Sequence, residues 1–224
     1  MSFDLDVDGA RWRTHIDSVS AGTAAIADCH LVPVIKGQGY GIGAAVLLNE
    51  AARIGADTVA IGTIAEVSPV VTAYAGHQLV LQPFDHRDPS AAHMWAQHRD
   101  ATASGRLLRT VASREALIAL ADAATADPSL GGGIVLEGLT SMRRFGMYAE
   151  VLTDVLAHTS VRRALQSGVL TLHGLALHLP LAPPTPSRVD QVLTWSRMWA
   201  DLSARLDAGA HAATLWVSHL SDAD

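Results

Sequence analysis

Short continuous apolar runs alternate along this chain with longer stretches in which apolar residues recur every three or four positions. The runs predict strands at Leu31–Lys36, Thr58–Ile64, Gln78–Phe84, Arg106–Ala112, Ile134–Leu139, Leu170–Leu179 and Ala213–Leu220. Thr58–Ile64 has no polar alternation, which suits a strand covered on both faces in a parallel sheet. The periodic stretches predict helices over Asp8–Ile26, Gly41–Ile54, Glu66–Ala75, Gly146–His158 and Arg188–Leu206, and one opening at Ser113 and running to Ala126. In the first of these, Trp12, Ile16 and Val19 share a face with Ile26. Asp85–Ser104 is polar and reads as a solvated helix or loop; Pro128–Gly133 reads as a turn. Pro180–Pro186 contains four prolines and reads as a stiff loop.

Strand and helix alternate without hairpin signals, so the strands are expected to pair in parallel through helical crossovers. Seven such units point to an α/β fold of the (β/α)8 TIM-type barrel class, occupying residues 1–224 as one domain and lacking its last strand. A chain of this length is ordinary for a single α/β domain.

Composition narrows the function. The apolar fraction is 49% and the formal charge is −6, so a substantial core is affordable and no basic face recommends nucleic acid as a partner. No apolar run is long enough to cross a bilayer. The start, Ser2-Phe3-Asp4-Leu5-Asp6, is acidic, unlike a signal peptide. Cys29 is the sole cysteine, which excludes an internal disulfide and suits a reducing cytoplasm. His86, His93 and His98 lie in the polar segment, but the five-residue spacing of the last two is poor for metal ligation from one helical face, and no metal is expected.

The chemistry-bearing residues fall at predicted strand ends, where parallel barrels gather their active groups. Lys36 ends the first strand and is the only lysine in the chain. Arginine can replace lysine wherever only charge matters, but it cannot lose its proton to form an imine. After Lys36 comes the glycine-rich Gly37-Gln38-Gly39-Tyr40-Gly41-Ile42-Gly43, a loop that lets backbone approach a ligand closely. Arg144 follows the fifth strand and His178 ends the sixth.

With these motifs in place, the chain resembles the N-terminal barrel of the alanine racemase family, pyridoxal-phosphate enzymes of fold type III. Val34-Ile35-Lys36-Gly37-Gln38-Gly39-Tyr40-Gly41-Ile42-Gly43 is similar to the family's Val-Val-Lys-Ala-Asn-Ala-Tyr-Gly-His-Gly. Asn49–Asp57 and Gly62–Glu66 resemble the next helix and strand end. Thr140-Ser141-Met142-Arg143-Arg144-Phe145-Gly146 resembles Thr-Gly-Met-x-Arg-x-Gly, and Gly174–His178 resembles Gly-x-x-Thr-His. The likeness covers nearly the whole chain.

The resemblance implies pyridoxal 5'-phosphate as cofactor and racemisation of alanine or another small amino acid. Lys36 would form the Schiff base and serve as one proton-transfer base. Tyr40 would bond the phosphate, Arg144 would contact the phenolic oxygen, and His178 would pack on the pyridine ring. The family's phosphate-holding serine falls at Ser218 or His219, with Ser218 the better ligand chemically. Where many members carry a carbamylated lysine, this chain has Glu137, expected to give its charge directly to Arg144. The family's eighth strand and C-terminal β-domain, with the opposite-face tyrosine base, have no counterpart here. A homodimer, or association with such a domain, is therefore expected. Two other readings stay open: an amino-acid decarboxylase on the same barrel, and a non-catalytic cofactor-binding or interaction protein.

Overall fold

A computed structural model describes residues 6–26, 28–67, 74–206 and 213–220. The chain divides into two compact units, Met1–Leu79 and Val80–Asp224.

In the first unit, helix α1 (Gly9–Ala24) starts where the Asp8 side chain accepts from the amides of Ala10 and Arg11, supplying acceptors to otherwise unpaired first-turn donors. Its apolar face, Trp12 and Ile16, is only half covered. Helix α2 (Ala44–Arg53) buries Leu48 and Ala51. The two helices are tied by charge. Glu50 is buried and accepts from Arg13 Nε at 2.7 Å and Arg53 Nε at 2.6 Å, while Arg53 Nη1 also reaches Asp17 at 2.7 Å. These arginines hold the Glu50 carboxyl below its usual range. Strand β1 (Thr58–Ile61) lies beside β2 (His77–Val80).

The expected strand Leu31–Lys36 shrinks to a single parallel bridge, Val34 to Ala60, made by Ile35 N–H to Ala60 O at 2.7 Å and Ala60 N–H to Pro33 O at 2.8 Å. Pro33 has no donor to extend the ladder, and the backbone leaves extended geometry at Lys36. Most of the helix expected over Glu66–Ala75 lies outside the described residues; what is described there is a short turn, Ile64–Glu66.

The second unit runs α3 (Pro89–Gln97), α4 (Arg99–Ala103), β3 (Leu107–Val111), α5 (Arg114–Ala126), β4 (Gly132–Gly138), α6 (Ala149–Ala157), α7 (Thr159–Gln166), β5 (Leu170–His178), α8 (Arg188–Ser203) and β6 (Leu215–Ser218). β3 to β6 lie in consecutive order, each parallel to the next. The polar segment thus holds two helices, the first opened by Asp88 and Pro89. Helix α7 was not expected. Its sequence is mostly polar, and only Val161 and Ala164 are buried.

Ile134, Leu136, Leu172, Leu175 and Leu177 pack with Leu117, Leu152, Leu156 and Trp199 into one core between sheet and helices. From Ile134↔Leu172 to Leu136↔Leu175, β4 advances two residues and β5 three. That extra residue, a bulge, keeps leucines on the helix side both before and after it. Alternation then turns Glu137, Ala176, His178 and Ser218 to the opposite face. The described residues therefore carry an α/β fold with six strands, rather than the seven-unit (β/α)8 barrel that the sequence pattern suggested.

Candidate active site

Each unit carries one cluster of the residues singled out above. In the first, buried Ile35 delivers Lys36 at the end of the Val34 bridge. The next four residues all take left-handed backbone: Gly37 (φ 60°), Gln38 (55°), Gly39 (58°) and Tyr40 (58°). Such geometry costs roughly 1–2 kcal/mol for each side-chain-bearing residue. Gln38 gains a partner there, since its side-chain oxygen accepts from the Ala44 amide at 3.1 Å and so caps α2.

Glu66 supports the turn. One oxygen accepts from Gly37 N–H at 3.1 Å; the other accepts from Gly62 at 2.8 Å and Thr63 at 3.2 Å. Gly62 is a close approach, because a Cβ there would stand 2.9 Å from Lys36 Cβ and 2.6 Å from Glu66 Oε2. The Lys36 side chain is exposed, and its amine has no hydrogen bond or ion pair among the described residues. Tyr40 is 90% exposed. Glu66 was not singled out for a role from the sequence. Its signal was present in Thr63-Ile64-Ala65-Glu66, a capping box that the structure forms.

In the second unit, His178 and Ser218 are register partners at the ends of β5 and β6. Ser218 Oγ lies 3.4 Å from His178 Nδ1 and 3.5 Å from Leu177 O. His219 turns back with φ 61° and places Nδ1 2.6 Å from Leu179 O. A carbonyl only accepts, so this nitrogen carries the proton and donates. The His178 and His219 rings meet edge-on at 5.0 Å. Both Ser218 and His219 therefore stand beside His178, where the sequence left a choice between them.

Arg144 rides on the loop after β4. That loop is closed by Leu139 N–H to Met147 O at 2.9 Å and Met147 N–H to Glu137 O at 2.8 Å. Thr140 Oγ1 donates to His178 O at 2.5 Å, and the Ser141 amide donates to buried Gln191 Oε1 at 2.8 Å. The exposed guanidinium lies 5.2 Å over the Phe145 ring. Glu137 is buried at the end of β4. Burial pushes its carboxyl up to about 7, against the opposing pull of the Arg144 charge. No hydrogen bond or contact ion pair joins the two, so the direct pairing expected from the sequence is not formed.

The sequence profile described as alanine racemase, N-terminal domain, matches residues 7–222. This chain belongs to that family. Solved structures of the same fold include the alanine racemase from Streptomyces coelicolor A3(2), at 21% identity and TM-score 0.69, covering 93% of this chain and 51% of that one. The alanine racemase from Bartonella henselae with covalently bound pyridoxal phosphate matches at 15% identity and TM-score 0.66, covering 92% and 59%. The histidine racemase from Leuconostoc mesenteroides subsp. sake NBRC 102480 matches at 16% and 0.64, covering 92% and 50%. The chain thus spans about half the length of these structures. No curated protein sequence matches it. No helix among the described residues is long and apolar enough to cross a membrane.

Proposed function

We propose that this chain is the cofactor-binding part of a pyridoxal-phosphate-dependent amino-acid racemase acting on alanine or another small amino acid. The observation that carries this reading is the sole lysine, set out on a left-handed turn braced by Glu66, with its amine unpartnered among the described residues. The donor set suits the cofactor. An amine is available for its aldehyde, and a hydroxyl with two imidazoles stands at adjoining strand ends for its phosphate and ring. Arg144 offers a guanidinium to an anionic oxygen. When bound, pyridoxal phosphate withdraws electrons from the substrate α-carbon and so acidifies its C–H bond.

The chain's own groups then hold and move protons. Lys36 would hold the cofactor and carry a proton to or from one face of the α-carbon. Tyr40 and Ser218 would take the phosphate, and His178 would support the ring. Glu137 would set the charge around Arg144. No residue here matches the family's opposite-face base, so racemisation draws on a further domain. A cytoplasmic homodimer is the matching assembly.

Lys36→Ala and Lys36→Arg test the reading. The wild-type protein with pyridoxal phosphate is expected to gain the visible absorbance of a cofactor joined to an amine, and to release D-amino acid from the L-form. Both variants should lose both signals. Absorbance that survives in Lys36→Ala sinks the assignment of the amine. Absorbance without turnover in the full-length protein favours the non-catalytic cofactor-binding reading.

A further inference from the structure

The loop that carries Arg144 is held from outside by a side chain of α8. Gln191 is 7% exposed, although the two residues whose backbone it meets, Ser141 and Pro186, lie at the surface. Its Oε1 accepts from Ser141 N–H at 2.8 Å. Its Nε2 donates to Pro186 O at 3.0 Å and, more weakly, to Ser187 O at 3.4 Å. Gln191 thereby joins the loop after β4 to the loop after β5. One turn further along α8, Trp195 lies against the end of β4: a Cβ on Gly138 would stand 3.1 Å from its ring. The missing side chain at Gly138 lets the helix come close enough for Gln191 to reach Ser141.

The bonding demands an amide. One buried side chain must accept at one end and donate at the other; a carboxylate only accepts and an ammonium only donates. The loop after β5 is itself fixed, since Arg188 Nη1 donates to Pro180 O at 3.2 Å and Leu181 O at 2.8 Å. At the start of the Arg144 loop, Thr140 Oγ1 donates to His178 O at 2.5 Å and accepts from Met142 N–H at 3.3 Å, while Arg143 N–H closes on Thr140 O at 3.0 Å. Thr140 thus ties the loop to β5, and Gln191 ties the next residue to α8. Arg144 stands three residues beyond Ser141, exposed and over the ring of its neighbour Phe145. Its place therefore follows the backbone that carries it.

We propose that Gln191 is a positioning residue for Arg144: it fixes the loop after β4 against the strand end of His178, so that the guanidinium meets an anionic group of the ligand in one place. The proposal rests on the pyridoxal-phosphate reading for the identity of that ligand. Without the amide, Ser141 N–H and Pro186 O can turn to water at the surface, so the fold keeps its bonds. The loop gains conformations that binding must then remove, and affinity falls. The loss passes through Arg144.

The test removes the amide in the full-length protein and reads loop and ligand separately. In Gln191→Met, hydrogen exchange at the bonded amides of Ser141, Met142 and Arg143 should quicken about tenfold or more, while Ile134, Val135 and Leu136 on β4 keep their protection. Pyridoxal-phosphate affinity, followed by visible absorbance, should fall about fivefold when Arg144 is present and less than about twofold in an Arg144→Met background, because effects routed through one group do not add. Gln191→Asn is polar but one methylene too short to span both loops; it should show the same pattern and serves where Gln191→Met does not fold. Unchanged exchange in the loop, or equal affinity losses in the two backgrounds, overturns the proposal. A wild type that gains no visible absorbance overturns the cofactor reading and the ligand named here, while the exchange result still decides whether Gln191 holds the loop.

Discussion

Glu137 predicts a pH-dependent stability. Its carboxyl titrates at about 7 in the folded chain, against 4.5 for an ordinary glutamate. The folded state therefore holds a proton that the unfolded chain has lost, and stability must fall as pH rises between those values. Below about 4.5 both states are protonated and the effect vanishes. Above about 7 both are ionised and the cost is complete, about 3 kcal/mol from the difference between the two values. Glu137→Gln keeps the shape, removes the titration and leaves a neutral group in the same buried place. Urea unfolding of both proteins at several pH values between about 5 and 8 tests this. The variant should exceed wild type by only about 1 kcal/mol at the acid end and by about 3 kcal/mol at the alkaline end. A difference that stays constant across the range would show that burial does not set the protonation of this group. A wild type that gains on the variant as pH rises would show that Arg144 outweighs burial.

Changes at three other positions bear on the same frame. Glu66→Gln replaces one carboxylate oxygen by a donor facing an N–H; it should weaken pyridoxal-phosphate binding about tenfold, for a loss of about 1–2 kcal/mol, read by absorbance titration. Gly146 has φ 114°, and a Cβ there would lie 2.6 Å from Gly138 C and Leu139 N. Gly146→Ala should cost about 3 kcal/mol or more in urea unfolding, because the backbone of the loop carrying Arg144 must move. Arg109 is buried at 3% exposure, with Nε unpartnered and one bond to Gly131 O at 3.0 Å, and burial lowers it to about 10. Arg109→Met should therefore leave thermal stability equal or higher, while Arg109→Ala should lower it by about 2 kcal/mol or more through the lost packing on Trp95 and Phe84.

Much of the frame is readable from residue order. The runs at Thr58, Gln78, Arg106, Ile134, Leu170 and Ala213 all contain strands, most plainly Thr58–Ile61, whose apolar run is buried from Val59 to Ile61. Asp8, Asp88 and Ser113 mark helix starts through short polar side chains that accept backbone N–H bonds. Lys36, Arg144 and His178 were visible as strand-end residues. Helix α7 escaped because it buries only two side chains along a polar stretch. The strand expected at Leu31 shortened to a bridge because Pro33 cannot donate and a left-handed turn follows. Neither limit shows in apolar periodicity.

Residue order by itself determined which chemistry was on offer: a single lysine, a strand-end histidine and a pair of loop arginines, with periods that set strand against helix. Only tertiary structure decided how those groups are held and charged. Glu66 reaches back 29 residues to brace the Lys36 turn. The Leu179 carbonyl, just past the end of the neighbouring strand, assigns the His219 proton. Burial, not sequence neighbourhood, places Glu137 on the edge between acid and anion. Side-chain identity travels with the chain, but desolvation and hydrogen-bond partners belong to the surroundings, and the fold alone brings those together.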